Sequence, residues 1–114
     1  MHISTNKENG IYIIRIDGKV DSITSKDFQD AMIKSILDGE TKILIDCAEL
    51  EYISSSGIRA FYYALREITD KNGIIALSKP NDNILHILEM VDFQSEFPIY
   101  ETIDKAIEEM NNHV

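Results

Sequence analysis

Apolar positions along this chain recur with two periods, and the change from one to the other marks out its elements. The run Tyr12-Ile13-Ile14-Arg15-Ile16 comes just after Asn9-Gly10, with Ile11 between them. Asn-Gly suits a type I′ turn, because both central residues of that turn need positive φ. It predicts a hairpin between a weaker strand over Ile3–Lys7 and the strong one. Gly18 and Asp21 then predict a loop. Thr24 with Asp27 approximates a capping box, with Asp in place of the usual Glu or Gln. Phe28, Ala31, Met32, Ser35 and Ile36 fall at helical spacing, and Gly39 suits the position just past the helix end.

The next segment, Lys42-Ile43-Leu44-Ile45-Asp46-Cys47, is a short apolar run and reads as a buried strand. After a loop, Ile58, Phe61, Tyr62, Leu65 and Ile68 form the stripe of a second helix, which Asn72-Gly73 ends. Ile74-Ile75-Ala76-Leu77 predicts another buried strand, closed by Lys79-Pro80. Asn81 or Asp82 can cap a third helix carrying Ile84, Leu85, Leu88 and Val91. Phe97 to Tyr100 predicts a short edge strand. Thr102 can cap a last helix with the stripe Ile103, Ala106, Ile107 and Met110.

The order is β-β-α-β-α-β-α-β-α. Strands alternating with helices imply right-handed crossovers and an α/β fold. The expected sheet is mixed but mainly parallel, of about four to five strands with about four helices and an N-terminal β-hairpin. Ligands and switches in such sheets gather at the carboxyl ends of the strands. That directs attention to the loops after Ile16 and Ile45.

Composition narrows the class. A chain of 114 residues, 44% hydrophobic and 27% charged, is read as a single globular domain over 1–114. Its one cysteine, Cys47, excludes an internal disulfide and a four-cysteine zinc site. No apolar stretch approaches the roughly 20 residues of a membrane span, and no signal-peptide pattern opens the chain. The expected location is the cytoplasm, with no membrane partner. A net charge of -9 disfavours nucleic acid and permits steering toward a basic protein surface. No cofactor or metal is expected, and the chain is expected to be a monomer in isolation.

The chemistry concentrates in Asp46-Cys-Ala-Glu-Leu-Glu-Tyr-Ile-Ser-Ser-Ser-Gly-Ile-Arg59. A strand ends in Asp46, and three serines precede an amphipathic helix. A serine there can be an N-cap that satisfies an orphan backbone N–H. One cap does not need three serines. A hydroxyl at the positive end of a helix is also a good position for a phosphate, which adds about -1.5 to -2 charges. Arg59 in the first turn is opposed by the helix dipole unless an anion lies near; otherwise it reaches into solvent or pairs with Glu51.

This stretch resembles the central motif of the STAS domain of anti-sigma factor antagonists. Ile16-Asp17-Gly18-Lys19-Val20-Asp21 is similar to that family's strand and Gly-x-x-Asp loop. The resemblance covers nearly the whole chain in element order. It implies a binding protein, not an enzyme, that docks on a serine-kinase-type anti-sigma factor and so frees the sigma factor. It implies that the kinase phosphorylates a serine at the start of the second helix, ending the interaction. A PP2C-type phosphatase then restores it. Matching the motif puts the phosphoacceptor at Ser55, with Ser56 as the alternative. Ser54, Ser56, Gly57, Arg59 and Asp21 would complete the switch surface. Ser54 stands where many members have Asp. Asp21 has a second reading as a turn residue that bonds its own backbone.

Asp46 with Lys79-Pro80 suggests a receiver-like phosphoaspartate domain, but paired acids after the first strand are missing and Asp46 to Lys79 is too short a separation. A serine hydrolase would need a Gly-x-Ser-x-Gly elbow, which is absent. A STAS-like interaction or sensory module without phosphorylation is the remaining alternative. His2, His86 and His113 are scattered, with His86 expected to be packed or half-exposed. Asp46 is expected to bond loop amides, Cys47 to act as a small apolar residue, and Met32, Met90 and Met110 to pack.

Overall fold

The hairpin forms where Asn9-Gly10 predicts it, with φ of 51° and 81° at the two turn residues. The computed structural model describes residues 1–112, so His113 lies outside the described residues. Strand β1 (His2–Glu8) pairs antiparallel with β2 (Ile11–Val20). Then follow α1 (Ser25–Leu37), β3 (Lys42–Asp46), β4 (Leu50–Ile53), α2 (Ser55–Thr69) and β5 (Ile74–Ser78). The described chain closes with α3 (Asp82–Met90), a 3-10 turn over Phe93–Ser95, β6 (Ile99–Tyr100) and α4 (Ile103–Asn111). The sheet order is β1-β2-β3-β5-β6, with every pair after the hairpin parallel, and β4 lies beside the far end of β2.

The α/β class, the hairpin and the four helices match the sequence expectation. The strand count is six instead of four to five, because the pattern over β4 predicts a loop. Only Leu50 and Ile53 of its four residues point inward, while Glu51 and Tyr52 are exposed. That spacing matches neither the alternation of a half-buried strand nor a continuous apolar run. The loop expected from Gly18 onward also begins later. Strand β2 runs on to Val20 through Gly18, whose φ of 103° sits at a register shift against β4. This is a bulge, a device that lets a strand bend without ending.

Two apolar layers clamp the sheet. On one face α1, α2 and α3 pack over Ile14, Ile16, Ile43, Ile45, Ile75 and Leu77. Phe61 sits at the centre of that layer, edge-on to Phe28 at 5.0 Å, to Phe93 at 5.1 Å and to Phe97 at 5.6 Å. On the other face α4 alone covers Ile11, Ile13, Leu44 and Ala76 with Ala106, Ile107 and Met110. Met32 and Met110 are core residues as expected, but Met90 is 73% exposed at the last turn of α3 and Val91 lies just beyond it. His86, expected to be packed or half-exposed, is exposed on α3. Asn81 and Thr102 cap α3 and α4 through backbone amides at 2.9 Å and 3.0 Å.

Candidate functional site

The serine cluster is positioned by β4. After Asp46 ends β3, its Oδ1 accepts from the amide of Ala48 at 3.1 Å and turns the chain. The next residues form β4, where Val20 of β2 stands opposite Ile53. One step on, the Ser54 amide donates to the Val20 carbonyl at 2.8 Å. The loop that begins at Asp21 and the helix that begins at Ser55 therefore start side by side.

The three serines divide the work. Ser54 is the N-cap of α2: its Oγ accepts from the Gly57 amide at 3.2 Å. Ser56 Oγ accepts from Nη2 of Arg59, also at 3.2 Å. Ser55 carries neither duty and is exposed as the first residue of the helix. Arg59 does not pair with Glu51, and among the described residues it enters no ion pair. Glu49 of the same loop pairs instead with Arg15, at 3.5 Å.

Gly57 is required by close approach. A Cβ there would lie 2.7 Å from Cγ1 of Ile53 and 2.8 Å from Cγ1 of Val20. The start of α2 is thus pressed onto the end of the β2–β4 pair, and Ser55 is held on a rigid base. The first turn of α2 holds no acid, whereas α1, α3 and α4 carry Asp27, Asp82 and Asp104 there. The positive helix end beside Ser55 is left uncompensated by any side chain of that turn.

Asp21 fulfils its turn reading, and it corrects the expected capping box. The N-cap Thr24 makes no side-chain cap bond to α1. Asp21 Oδ1 instead accepts from the amides of Ile23 at 2.9 Å and Thr24 at 3.0 Å. Thr24 Oγ1 in turn accepts from the Asp21 amide at 2.9 Å. The Thr24 and Ile23 amides hold the Asp21 carboxyl below the ordinary aspartate range, because they stabilise its charged form. All these carboxylate contacts use Oδ1.

The sequence reading missed Ile23, which is 85% exposed in the same loop. A signal was present: it is a large apolar residue that fits no helical or strand stripe. Cys47 is buried, and burial with the neighbouring Asp46 charge pushes its thiol pKa up, so it behaves as a small apolar residue. A cleft of about 420 Å³ opens between α3 and β6, lined in part by Lys79, Leu85, Glu89, Gln94 and Tyr100. None of the three serines lines it. Among the described residues, no helix is long and apolar enough to cross a membrane.

Comparison with known proteins places these features in a family. The sequence pattern of the STAS domain matches residues 2–106. The chain is 24% identical over 111 residues to an anti-sigma F factor antagonist of Paenibacillus polymyxa, covering 96% of this chain and 95% of that one. The crystal structure of an anti-sigma factor antagonist from Mycobacterium paratuberculosis superposes with a TM-score of 0.88 at 16% identity, over 96% of this chain and 93% of the other. The Bacillus cell fate determinant SpoIIAA in its phosphorylated form superposes with a TM-score of 0.73 at 18% identity, over 95% and 98% of the two chains.

Proposed function

Because the chain belongs to the STAS domain family, we propose that it is an anti-sigma factor antagonist switched by phosphorylation of Ser55. In this reading the unmodified surface docks on a serine-kinase-type anti-sigma factor. The sigma factor held by that partner is released, and transcription changes without this chain touching DNA. Such a role belongs in the cytoplasm. The single observation that carries the reading is the exposed Ser55 hydroxyl at the start of α2, beside one serine engaged in capping and another engaged by Arg59.

The chemistry is supplied by the partners. The kinase transfers the γ-phosphoryl group of ATP to Ser55 Oγ, ADP leaves, and the hydroxyl proton passes to a base of the kinase. A PP2C-type phosphatase hydrolyses the ester with water and regenerates the hydroxyl. This chain acts as substrate and ligand in both steps. The phosphate adds about -1.5 to -2 charges at a helix N-terminus, which tolerates them. The fold therefore survives modification while a flush apolar and polar surface gains a charge that must be desolvated to dock. Each tenfold loss of affinity needs only about 1.4 kcal/mol, so a few kcal/mol suffices.

The remaining residues have roles in the same surface. Ser54 caps the helix without charge. Gly57 lets the helix start approach β2. Asp21 offers the partner Oδ2, which its turn contacts do not use. Ser56 is the weaker acceptor, since Arg59 already engages its hydroxyl. The test is the affinity of the kinase-type partner for wild type, Ser55→Ala and Ser55→Asp, with intact-mass analysis after incubation with kinase and ATP. Wild type and Ser55→Ala should bind alike, Ser55→Asp should bind more weakly, and only wild type should gain a phosphate. Equal affinity across all three, or full phosphorylation of Ser55→Ala, overturns the reading.

A further inference from the structure

The two edges of the sheet are defended very differently. Strand β6 is two residues long and follows Pro98, so it offers little to pair with. Strand β1, at the other end, runs for seven residues in one unbroken register, from His2 opposite Asp17 to Glu8 opposite Ile11. Every residue of it but Ile3 is exposed. It contains no proline and no bulge, the usual devices that keep an edge unpaired. Its one lysine, Lys7, is held by Glu40 at 3.2 Å.

The turn fixes which backbone groups of β1 are free. In a hairpin closed by a two-residue turn, the flanking pair exchanges both backbone hydrogen bonds. Here that pair is Glu8 and Ile11. Alternation then aims the N–H and C=O of Ser4 and Asn6 toward β2 as well. The same groups of Ile3, Thr5 and Lys7 face outward.

We infer that β1 pairs antiparallel with β1 of a second copy of this chain, about a two-fold axis at Thr5. Only registers that bring outward-facing residues opposite one another can form a ladder, and the one centred on Thr5 uses all of them. Thr5 meets the partner's Thr5, and Ile3 meets the partner's Lys7. On the other face His2 meets the partner's Glu8 and Ser4 meets the partner's Asn6. No like charges stand opposite each other, and threonine pairs are favourable across strands. An isologous contact of this kind closes on itself and stops at two copies.

The dimer is weak and salt-strengthened. One strand from each side is a narrow interface at the low end of specific complexes. Each copy also carries a net charge of -9, whose repulsion fades when salt shortens the screening distance to about 10 Å or less. The two copies run in opposite directions, so their Ser55 surfaces lie at opposite ends of one continuous sheet. This replaces the expectation of a lone monomer. It does not rest on phosphorylation, because no residue from Ser54 to Arg59 takes part.

Sedimentation velocity over a concentration series at low and high salt, with amide exchange by NMR, tests this. The mass should double with concentration, more readily at high salt. As it does, the amides of Ile3, Thr5 and Lys7 should slow while those of Ser4, Asn6 and Glu8 stay unchanged. Thr5→Pro removes an outward N–H but no bond to β2, as edge strands tolerate. It should weaken the dimer roughly tenfold, the effect of losing backbone bonds at the axis. Thr5→Lys brings two ammonium groups together and should weaken it most at low salt. A chain that stays monomeric throughout overturns the proposal. So does a dimer whose outward amides remain fast, or one that survives both substitutions.

Discussion

The amide of Ser54 donates to the carbonyl of Val20 at 2.8 Å, so the residue before Ser55 is bonded to the residue before Asp21. That bond continues the β2–β4 pairing into two loops that are far apart in sequence. It works because β4 runs parallel to the end of β2 and hands its last amide to the same ladder. The surface around Ser55 is a joint between two strands and a helix, and a phosphate placed there changes charge on a fixed frame.

The fit of Gly57 makes that frame measurable. Its missing side chain leaves space already taken by Val20 and Ile53, which are both β-branched and buried to within 2% of full burial. Neither can swing aside without losing its own packing. Gly57→Ala should therefore destabilise the fold by about 1–3 kcal/mol, the usual range for overpacking. Urea unfolding should show a lower midpoint with an unchanged slope. Val20→Ala in the same chain should recover part of the loss, because the two sites share one contact. An unchanged midpoint in Gly57→Ala would mean the helix start sits loosely.

Arg59 lies one turn into α2 with only the Ser56 hydroxyl as a partner. A phosphate on Ser55 would draw the guanidinium toward itself, since charge-assisted bonds are stronger than neutral ones. Both Arg59 and the helix end favour the dianion. Phosphorus NMR of the modified protein should show a second phosphate pKa below that of free phosphoserine. Arg59→Ala should raise it by about half a unit or less, as expected for an exposed pair. An identical titration in both proteins would exclude the contact.

The Asp21 turn predicts an acid transition. Its carboxyl pKa is lowered in the fold by the Thr24 and Ile23 amides, so the charged form is the one that bonds. The turn's contribution is fully present above the unfolded-state value and is lost as pH falls through the lowered folded value. Near neutral pH the loop should be insensitive to pH. The amide resonances of Ile23 and Thr24 should move only in acid, below the ordinary aspartate range, and together with the carboxyl. In Asp21→Asn the movement should vanish. A loop titration near neutrality would contradict this assignment.

Local pattern was enough for the hairpin, the four helices and the caps at Asn81 and Thr102, because each depends on residues adjacent in sequence. It also brought out Asp21 and the serines as candidates. What it could not show depends on distant neighbours. Strand β4 owes its existence to β2, since Leu50 and Ile53 are its only inward residues. The Thr24 cap failed because its Oγ1 is turned back to the preceding loop, where it accepts from the Asp21 amide and donates to the Lys19 carbonyl. Nothing in Ser-Ser-Ser says which hydroxyl caps and which is free. That division follows from where Ser54 meets Val20 and where Arg59 can reach.

Ile23 gives the last test, because its two faces separate cleanly. Its amide is tied to Asp21, while its side chain is 85% exposed. Ile23→Asn keeps the backbone bond and removes only the apolar surface. Stability should stay within about 0.5 kcal/mol of wild type, as for exposed positions generally. If the surface around Ser55 is where the kinase-type partner docks, covering this side chain contributes part of the roughly 1.5–3 kcal/mol available from a buried isoleucine. Affinity measured by calorimetry should then fall about tenfold. The phosphorylation rate at saturating kinase should remain unchanged, since Ser55 itself is untouched. Full affinity in Ile23→Asn would place the partner on a different side of Ser55.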